Sequence, residues 1–420
     1  MHQLPGRWTR KRTIASLALI FLVALVVRIA YAAISPQELT FDEPYYDYIA
    51  NQIVSGNGFT FPSSVYHTSV PNKPTSFQEP LYPLLLACLK ILFGSSNYLA
   101  IRVVQAALGA CIPVVVAGTG YQIFRPEVGI LAGLVLALYP PLIYFGRLLM
   151  TEIVYTLLLT GALLLAHITL RSRNWVGLMG GVIYGAASVT RSIAFAFTPI
   201  LLLWTLLACR PKRGRLLTAA FVGAGVVVVI SPWAVRDYLV HDTFVPLTTK
   251  GGYNLYFYNY PVPNYDFNTR HADVPFPDMN GLAEVDRERE LTRRGIDFIK
   301  NNPRLIASFA LAKLIDFWNP MLKEERAGFS IVNLLSYGVM TLFAFIGLLR
   351  QILRRNWCPT VLLMWLLIGY YMVQAMVFTG GGKARLPVEP FLVLLGSETL
   401  WDVTQWLRRH LLRTGSVLTS

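Results

Sequence analysis

Charged residues are scarce in this sequence. Asp, Glu, Lys and Arg make up 14% of its 420 residues, against about 25% in soluble domains. Too few remain to cover the surface of a water-soluble fold. Acidic residues are the scarcer sign: 23 Asp and Glu stand against 37 Lys and Arg, a formal net charge of +14. Cysteine is sparse as well. Cys88, Cys111, Cys209 and Cys358 lie in or beside apolar runs with no CxxC pair, which argues against a disulfide framework or a zinc site. There is no Gly-X-Y repeat, and no GxxxxGK[ST] loop to cradle a nucleotide. What is abundant is apolar: 54% hydrophobic residues and a mean hydropathy of +0.48. The fold class expected is an all-α polytopic membrane protein. In such a chain an excess of basic residues marks cytoplasmic loops rather than nucleic-acid binding.

A spanning helix needs about 20 apolar residues. Ten segments qualify: Thr13–Ile34, Leu99–Gln122, Val128–Phe145, Met150–Leu170, Asn174–Thr190, Ser192–Cys209, Leu216–Trp233, Phe329–Leu349, Pro359–Phe378 and Leu386–Thr404. Leu81–Phe93 and Leu305–Trp318 are too short and fit amphipathic helices at the membrane surface. With the N-terminus inside, each inside segment carries basic residues. They are Arg7, Arg10, Lys11 and Arg12; Arg125; Arg171 and Arg173; Arg210, Lys212, Arg213 and Arg215; Arg350, Arg354 and Arg355; and Arg408, Arg409 and Arg413. This agrees with the positive-inside rule and places both termini in the cytoplasm. A cleaved signal peptide fits the first segment less well, because apolar character resumes after Arg28 and runs to Ile34.

The chain then reads as one integral membrane domain over 1–420. It has a first outer loop at 35–98, a second at 234–328 and a cytoplasmic tail at 405–420. The inside loops are short and chemically plain. The outer face holds the acidic residues, the aromatics and isolated basic residues, so chemistry is expected there. Asp42 and Glu43 follow the first span, and Glu79 precedes the first short helix. A carboxylate at such a place can accept a proton from a hydroxyl nucleophile, or simply cap the helix that follows, near Tyr45–Val54. Arg147, Arg191, Arg236, Lys383 and Arg385 fall near outer span ends. They can grip a phosphate or snorkel to the interface. Tyr253, Asn254 and Tyr256 sit in an aromatic and amide-rich run that suits sugar rings or an interfacial belt.

The ordered set FDEPYYDYIANQIVSGNGF, QEPLYPLLLACLKILFG, GRLLMTE, TRSIAFAFTP, SPWAVRDYLVHDTFVPLTTKGGYNLYFYNYP and KARLPVEPFLVLL resembles the polytopic glycosyltransferases of the GT-C class. The branch is that of protein O-mannosyltransferases and the lipid A aminoarabinose transferase. The resemblance implies an inverting transferase that moves a sugar from a polyprenyl-phosphate donor to an acceptor hydroxyl. It implies Asp42 as catalytic base with Glu79 helping to shape the site. It implies donor phosphate binding by Lys383 and Arg385, with Arg147, Arg191 and Arg236 as further candidates. Glu43, Tyr45, Tyr253, Asn254 and Tyr256 are the expected sugar or acceptor contacts.

The chain departs from the lipid A enzyme in lacking a basic residue shortly after Asp42 and directly after Glu79, which points away from lipid A as acceptor. After Thr404 a basic tail stands where some relatives carry a large soluble domain. A divalent cation shared by Asp42 and Glu79 is conceivable, but no DxD pair or His/Cys cluster supports one. The expectation is no essential metal and no other cofactor. Expected partners are the lipid-linked sugar, membrane lipids and a lipid, glycan or protein acceptor, without nucleic acid. The expected location is a prokaryotic inner membrane with the site facing outward. The alternatives are a flippase or transporter of lipid-linked sugars, and a non-catalytic subunit that binds them. Transporters place charges near the midplane, whereas here the ionisable residues crowd the outer ends.

Overall fold

The computed structural model describes residues 10–61, 68–170, 174–209, 214–261, 274–320, 331–355, 357–378, 380 and 382–417. The expected inside residues Arg7, Arg171, Arg173, Arg210, Lys212 and Arg213 lie outside these. Among the described residues, strand-type pairing is limited to a bridge between Thr60 and Pro74. The rest is helix and connection. In chain order the helices are α1 (Arg10–Ile34), α2 (Glu43–Val54), α3 (Leu81–Phe93), α4 (Tyr98–Ile123), α5 (Pro126–Ala137) and α6 (Pro140–Arg147). Then come α7 (Thr151–Thr169), α8 (Asn174–Ser188), α9 (Ile193–Ala208), α10 (Arg215–His241), α11 (Gly251–Asn259) and α12 (Glu284–Asn301). The last are α13 (Pro303–Trp318), α14 (Ile331–Arg354), α15 (Pro359–Val377), the short α16 (Gly382–Arg385) and α17 (Glu389–Val417).

The protein is a polytopic helical membrane protein. Among the described residues six helices, α1, α4, α7, α10, α14 and α15, are long and apolar enough to cross a bilayer. The pair α5–α6 makes a seventh if it counts as one broken span. The expected spans at Asn174–Thr190 and Ser192–Cys209 correspond to α8 and α9, which are apolar but shorter. The expected Leu386–Thr404 opens with a 3-10 turn at Leu386–Val388 before α17 begins.

The expected straight span Val128–Phe145 is bent by 48° between α5 and α6. Pro140 and Pro141 lack the N–H groups that would continue the helical ladder. The break leaves carbonyls of the last turn of α5 without helical donors. Arg28 meets them: its guanidinium donates to Ala137 O at 2.8 Å and to Leu136 O at 3.1 Å. This buried cation within the first span therefore plugs a broken helix end, one way a charge persists at membrane depth.

Helix contacts are close where side chains are small. A Cβ on Gly181 of α8 would lie 2.1 Å from Val222 O of α10, and one on Gly225 would lie 2.4 Å from Leu178 O. Small residues at such spacing let backbones approach without a hydrophobic driving force.

The two long segments expected at the outer face fold together. Thr249 N donates to Ser76 O at 2.9 Å, and Ser76 N donates to Glu284 Oε1 at 2.8 Å. Between them lies an apolar cluster of Ile49, Phe59, Phe77, Tyr253, Phe257 and Leu291. This cap brings the connections after α1, before α3 and after α10 to one end of the bundle.

Candidate active site

The backbone at Phe41 takes a positive φ of 55°, which is uncommon for an aromatic residue. The turn places Asp42 at the N-cap of α2 and Glu43 at its first position. The two neighbouring carboxylates then have different surroundings. Glu43 is fully buried. It accepts from Thr40 N at 2.8 Å, Thr40 Oγ1 at 2.9 Å and Leu149 N at 2.8 Å, and pairs with Arg102 at 3.4 Å. It locks α2 against α4 and the α6–α7 connection. Asp42 makes no side-chain cap bond despite its N-cap position. Its side chain is one-third exposed, and Oδ2 accepts from Lys383 Nζ at 2.6 Å.

Lys383 enters from α16, a single turn between α15 and α17. Its Nζ also lies 3.6 Å from Glu152 Oε1, in the first turn of α7. Glu152 is buried, and the same oxygen accepts from Arg191 Nη1 at 3.1 Å. Arg191 sits in the tight turn between α8 and α9 and stacks over Tyr155, with its Cζ 5.7 Å from the ring centre. Glu79 holds that turn from the other side. Its Oε1 accepts from Ser192 N at 2.9 Å and Ser192 Oγ at 2.8 Å. A carboxylate there also complements the N-terminal dipole of α9. Lys250, just before α11, donates to Gln78 Oε1 at 3.3 Å.

These groups act on one another. Burial lowers the Lys250 ammonium, against the pull of Glu79 and Asp42. Burial works against the charged form of Lys383 too, but Asp42 and Glu152 outweigh it and hold the ammonium above its ordinary value. Burial, then the charges of Asp42, Glu152 and Glu79, push the Tyr46 phenol up. Tyr46 is therefore a neutral hydroxyl at working pH. Three carboxylates (Asp42, Glu79, Glu152) and three cations (Lys250, Lys383, Arg191) thus share one end of the bundle. Such a balanced cluster can exchange one of its anions for a phosphate without stranding a charge.

The other residues expected from the sequence are placed as follows. Arg385 is fully buried. It pairs with Glu389, donates to the carbonyls of Phe317 and Asn319, and packs on the ring of Tyr337. Arg236 is held by Asp237, Thr75 O and Ser76 Oγ, and lies over Trp233. Arg147 lies over Tyr144, with one buried guanidinium nitrogen lacking a hydrogen-bond partner. Tyr253 is buried and stacks on Phe257 and Phe276. Tyr256 donates its hydroxyl to Pro275 O. Tyr45 packs against the same apolar cluster, and Asn254 is half-buried on α11. The structure brings Asp42, Lys383, Arg191 and Glu79 together and leaves Arg385 and the aromatics in packing positions. Glu152, Lys250 and Tyr46 were not selected from the sequence. Glu152 had a signal, standing beside Arg147 at the start of an apolar run.

Residues 72–235 match the model of the dolichyl-phosphate-mannose-protein mannosyltransferase family. That stretch contains Glu79, Glu152 and Arg191 but not Asp42, Lys250 or Lys383. No curated protein sequence matches the chain. Among solved structures, the archaeal oligosaccharyltransferase AglB from Archaeoglobus fulgidus, in complex with an inhibitory peptide and a dolichol-phosphate, superposes with a TM-score of 0.62. Identity is 16%, over 97% of this chain and 52% of that one. The apo form of the Archaeoglobus fulgidus oligosaccharyltransferase gives 0.61 at 13% identity, over 98% and 53%. The chain thus spans about half the length of that enzyme. ArnT from Cupriavidus metallidurans bound to undecaprenyl phosphate gives 0.45 at 13% identity, over 91% and 77%. The chain therefore shares its polytopic helical fold with the Archaeoglobus fulgidus oligosaccharyltransferase, and its residues 72–235 match the mannosyltransferase-family model.

Proposed function

We propose that the protein is an inverting glycosyltransferase that moves a sugar from a polyprenyl-phosphate donor to an acceptor hydroxyl at the outer face of a prokaryotic inner membrane. The observation that carries this reading is the Asp42–Lys383 pair at 2.6 Å, set beside the Glu152–Arg191 pair at 3.1 Å at one end of an apolar helical bundle. A carboxylate next to two movable cations is the equipment for removing a proton from one oxygen while neutralising another. The mannosyltransferase-family segment and the fold both support glycosyl transfer.

In the resting site Lys383 occupies the lone pairs of Asp42. The donor phosphate draws Lys383 and Arg191 towards itself, and Asp42 is released to act as base. The acceptor hydroxyl gives its proton to Asp42 and its oxygen attacks the anomeric carbon. The bond from that carbon to the phosphate oxygen breaks, and polyprenyl phosphate leaves with the electron pair. A single displacement inverts the anomeric centre. Phosphate is already a good leaving group, so no strong general acid is needed. Glu79 is a positioning residue that fixes the Arg191 turn through Ser192. Both termini lie in the cytoplasm, and the acceptor is a lipid, glycan or protein.

The test uses purified protein in nanodiscs with a panel of polyprenyl-phosphate sugars and a cell-envelope extract. Wild-type protein is expected to release polyprenyl phosphate and label an acceptor. Asp42→Asn is expected to lose about 10²–10⁴ in rate, the range of general-base catalysis. An Asp42→Asn variant with full transfer activity would sink the assignment.

A further inference from the structure

Lys383 stands between two carboxylates that come from separate elements. Its Nζ is 2.6 Å from Asp42 Oδ2 at the start of α2 and 3.6 Å from Glu152 Oε1 at the start of α7. Carboxylates facing a common point from two elements are an ordinary donor set for Mg²⁺ or Mn²⁺. Here that point holds an ammonium. Its neighbours keep it charged although it is largely enclosed. Behind it, Arg191 shares Glu152 Oε1, while Glu152 Oε2 is buried without a hydrogen-bond partner. A divalent ion arriving between Asp42 and Glu152 meets one cation at contact distance and a second beyond it. The ammonium already holds the position between the two carboxylates, so the donor set does not fit a divalent cation as long as Lys383 is in place.

We infer that Lys383 is a built-in counter-cation that takes the place of a divalent ion between Asp42 and Glu152, and that removing its side chain converts the pair into a divalent-cation site. The cation-binding part stands on geometry alone. Its consequence, that turnover needs no metal ion, rests on the transferase reading above. A tethered ammonium also has an advantage over a bound ion. Its flexible stem lets it pass from carboxylate to phosphate and back without leaving the protein.

The decisive experiment needs no substrate. The full chain in nanodiscs of zwitterionic lipid is titrated with MnCl₂, and free Mn²⁺ is read by electron paramagnetic resonance. Wild type and Lys383→Arg are expected to behave alike, with only weak surface binding. Lys383→Ala is expected to gain a site at least about tenfold tighter than that background, and adding Glu152→Gln is expected to abolish it. Lys383→Gln carries the same expectation and serves if the alanine variant does not fold. Mn²⁺ binding to wild type that disappears in Asp42→Asn overturns the inference. So does a neutral Lys383 variant that elutes and unfolds like wild type yet binds no extra Mn²⁺. Once turnover is established, wild type is expected to keep its rate in a chelator within about twofold, and a loss about tenfold or greater restored by Mn²⁺ overturns it. Absence of any turnover bears on the transferase reading and leaves the Mn²⁺ titration intact.

Discussion

Asp42 and Glu43 are adjacent in sequence, yet their surroundings assign them opposite work, and Glu43→Gln tests that division. The Glu43 carboxylate faces four donor groups: Thr40 N–H, Thr40 O–H, Leu149 N–H and the Arg102 guanidinium. Glutamine keeps the shape but has one acceptor oxygen. Its NH₂ is best turned towards Thr40, where the hydroxyl can rotate to accept and one N–H is stranded. The remaining oxygen still serves Leu149, but its attraction for Arg102 falls. Arg102 keeps Gln37 Oε1 at 2.6 Å and Pro36 O at 3.1 Å, so it is not left wholly unpaired. A lost charge-assisted bond costs about 1.5–3 kcal/mol, and weakening a buried pair adds to that. The expected destabilisation is about 3–5 kcal/mol. Asp42 makes a pair with both side chains about one-third exposed, so Asp42→Asn is expected to change stability by less than about 1 kcal/mol while removing turnover. Reversible unfolding in mixed detergent micelles measures the first quantity and polyprenyl-phosphate release the second. A Glu43→Gln protein with stability within about 0.5 kcal/mol of wild type and no turnover would refute the reasoning, because Glu43 would then be the chemical carboxylate.

Arg28→Met is expected to destabilise the bundle by about 1–3 kcal/mol, since it strands Ala137 O at the α5–α6 break while Leu136 O keeps the Tyr139 N–H; the same unfolding assay reads it, and an unchanged midpoint would mean that Ala137 O finds another donor. On α12, hydrogen bonds from Arg293 and Arg294 hold the Glu290 carboxyl down at about 2, from an ordinary 4.5. A depressed carboxyl contributes stability that is present above pH 4.5 and lost as pH falls towards 2. Solvent screens this exposed cluster, so the contribution is below about 1 kcal/mol. The amide protection factor in α12, corrected for the intrinsic exchange rate at each pH, is expected to fall through that window in wild type and to be flatter in Glu290→Gln.

Much of the helical layout was legible because local punctuation carries it. Leu81–Phe93 is bounded by Pro80 and Gly94, and α3 has those limits. The α5–α6 break had a signal in Pro140-Pro141, but the span Val128–Phe145 was set by hydropathy, which does not tell a bent run from a straight one. In the site, Asp42 and Lys383 were each visible as candidates. Their partnership was not, since 341 residues separate them and no spacing rule operates at that range. The aromatic run at Tyr253–Tyr258 reads from sequence as a sugar platform or as an interfacial belt, and the fold makes it packing. Ring stacking of Tyr253 on Phe257 and Phe276 depends on residues that no local pattern joins. Glu152 passed unselected because a carboxylate at the start of a span also serves the helix dipole.

The basic residues at span ends divide by the acceptors they meet, and this division yields a paired prediction. Sequence offers two uses for such a residue, phosphate binding and snorkelling. A third emerges from the fold: Arg28, Arg102 and Arg385 spend guanidinium donors on backbone carbonyls where a helix breaks or a loop is buried. Arg385 closes the end of α13 through Phe317 O and Asn319 O, and its pairing with Glu389 leaves it no freedom to follow a ligand. Arg191 and Lys383 instead meet carboxylates at half-buried positions, and a phosphate can compete for them. Arg385→Ala is therefore expected to cost about 3–5 kcal/mol of stability, the penalty for breaking a buried pair. Where that protein still folds, donor affinity should stay within a few-fold of wild type. Arg191→Ala is expected to weaken donor binding by about tenfold or more, from loss of a charge-assisted contact, with a smaller effect on unfolding. Equilibrium binding of a polyprenyl-phosphate sugar, read beside the unfolding midpoint, separates the two. If Arg385→Ala lowers affinity and spares stability, the carbonyl-plug account of Arg385 fails and the phosphate must meet the Arg385 guanidinium itself.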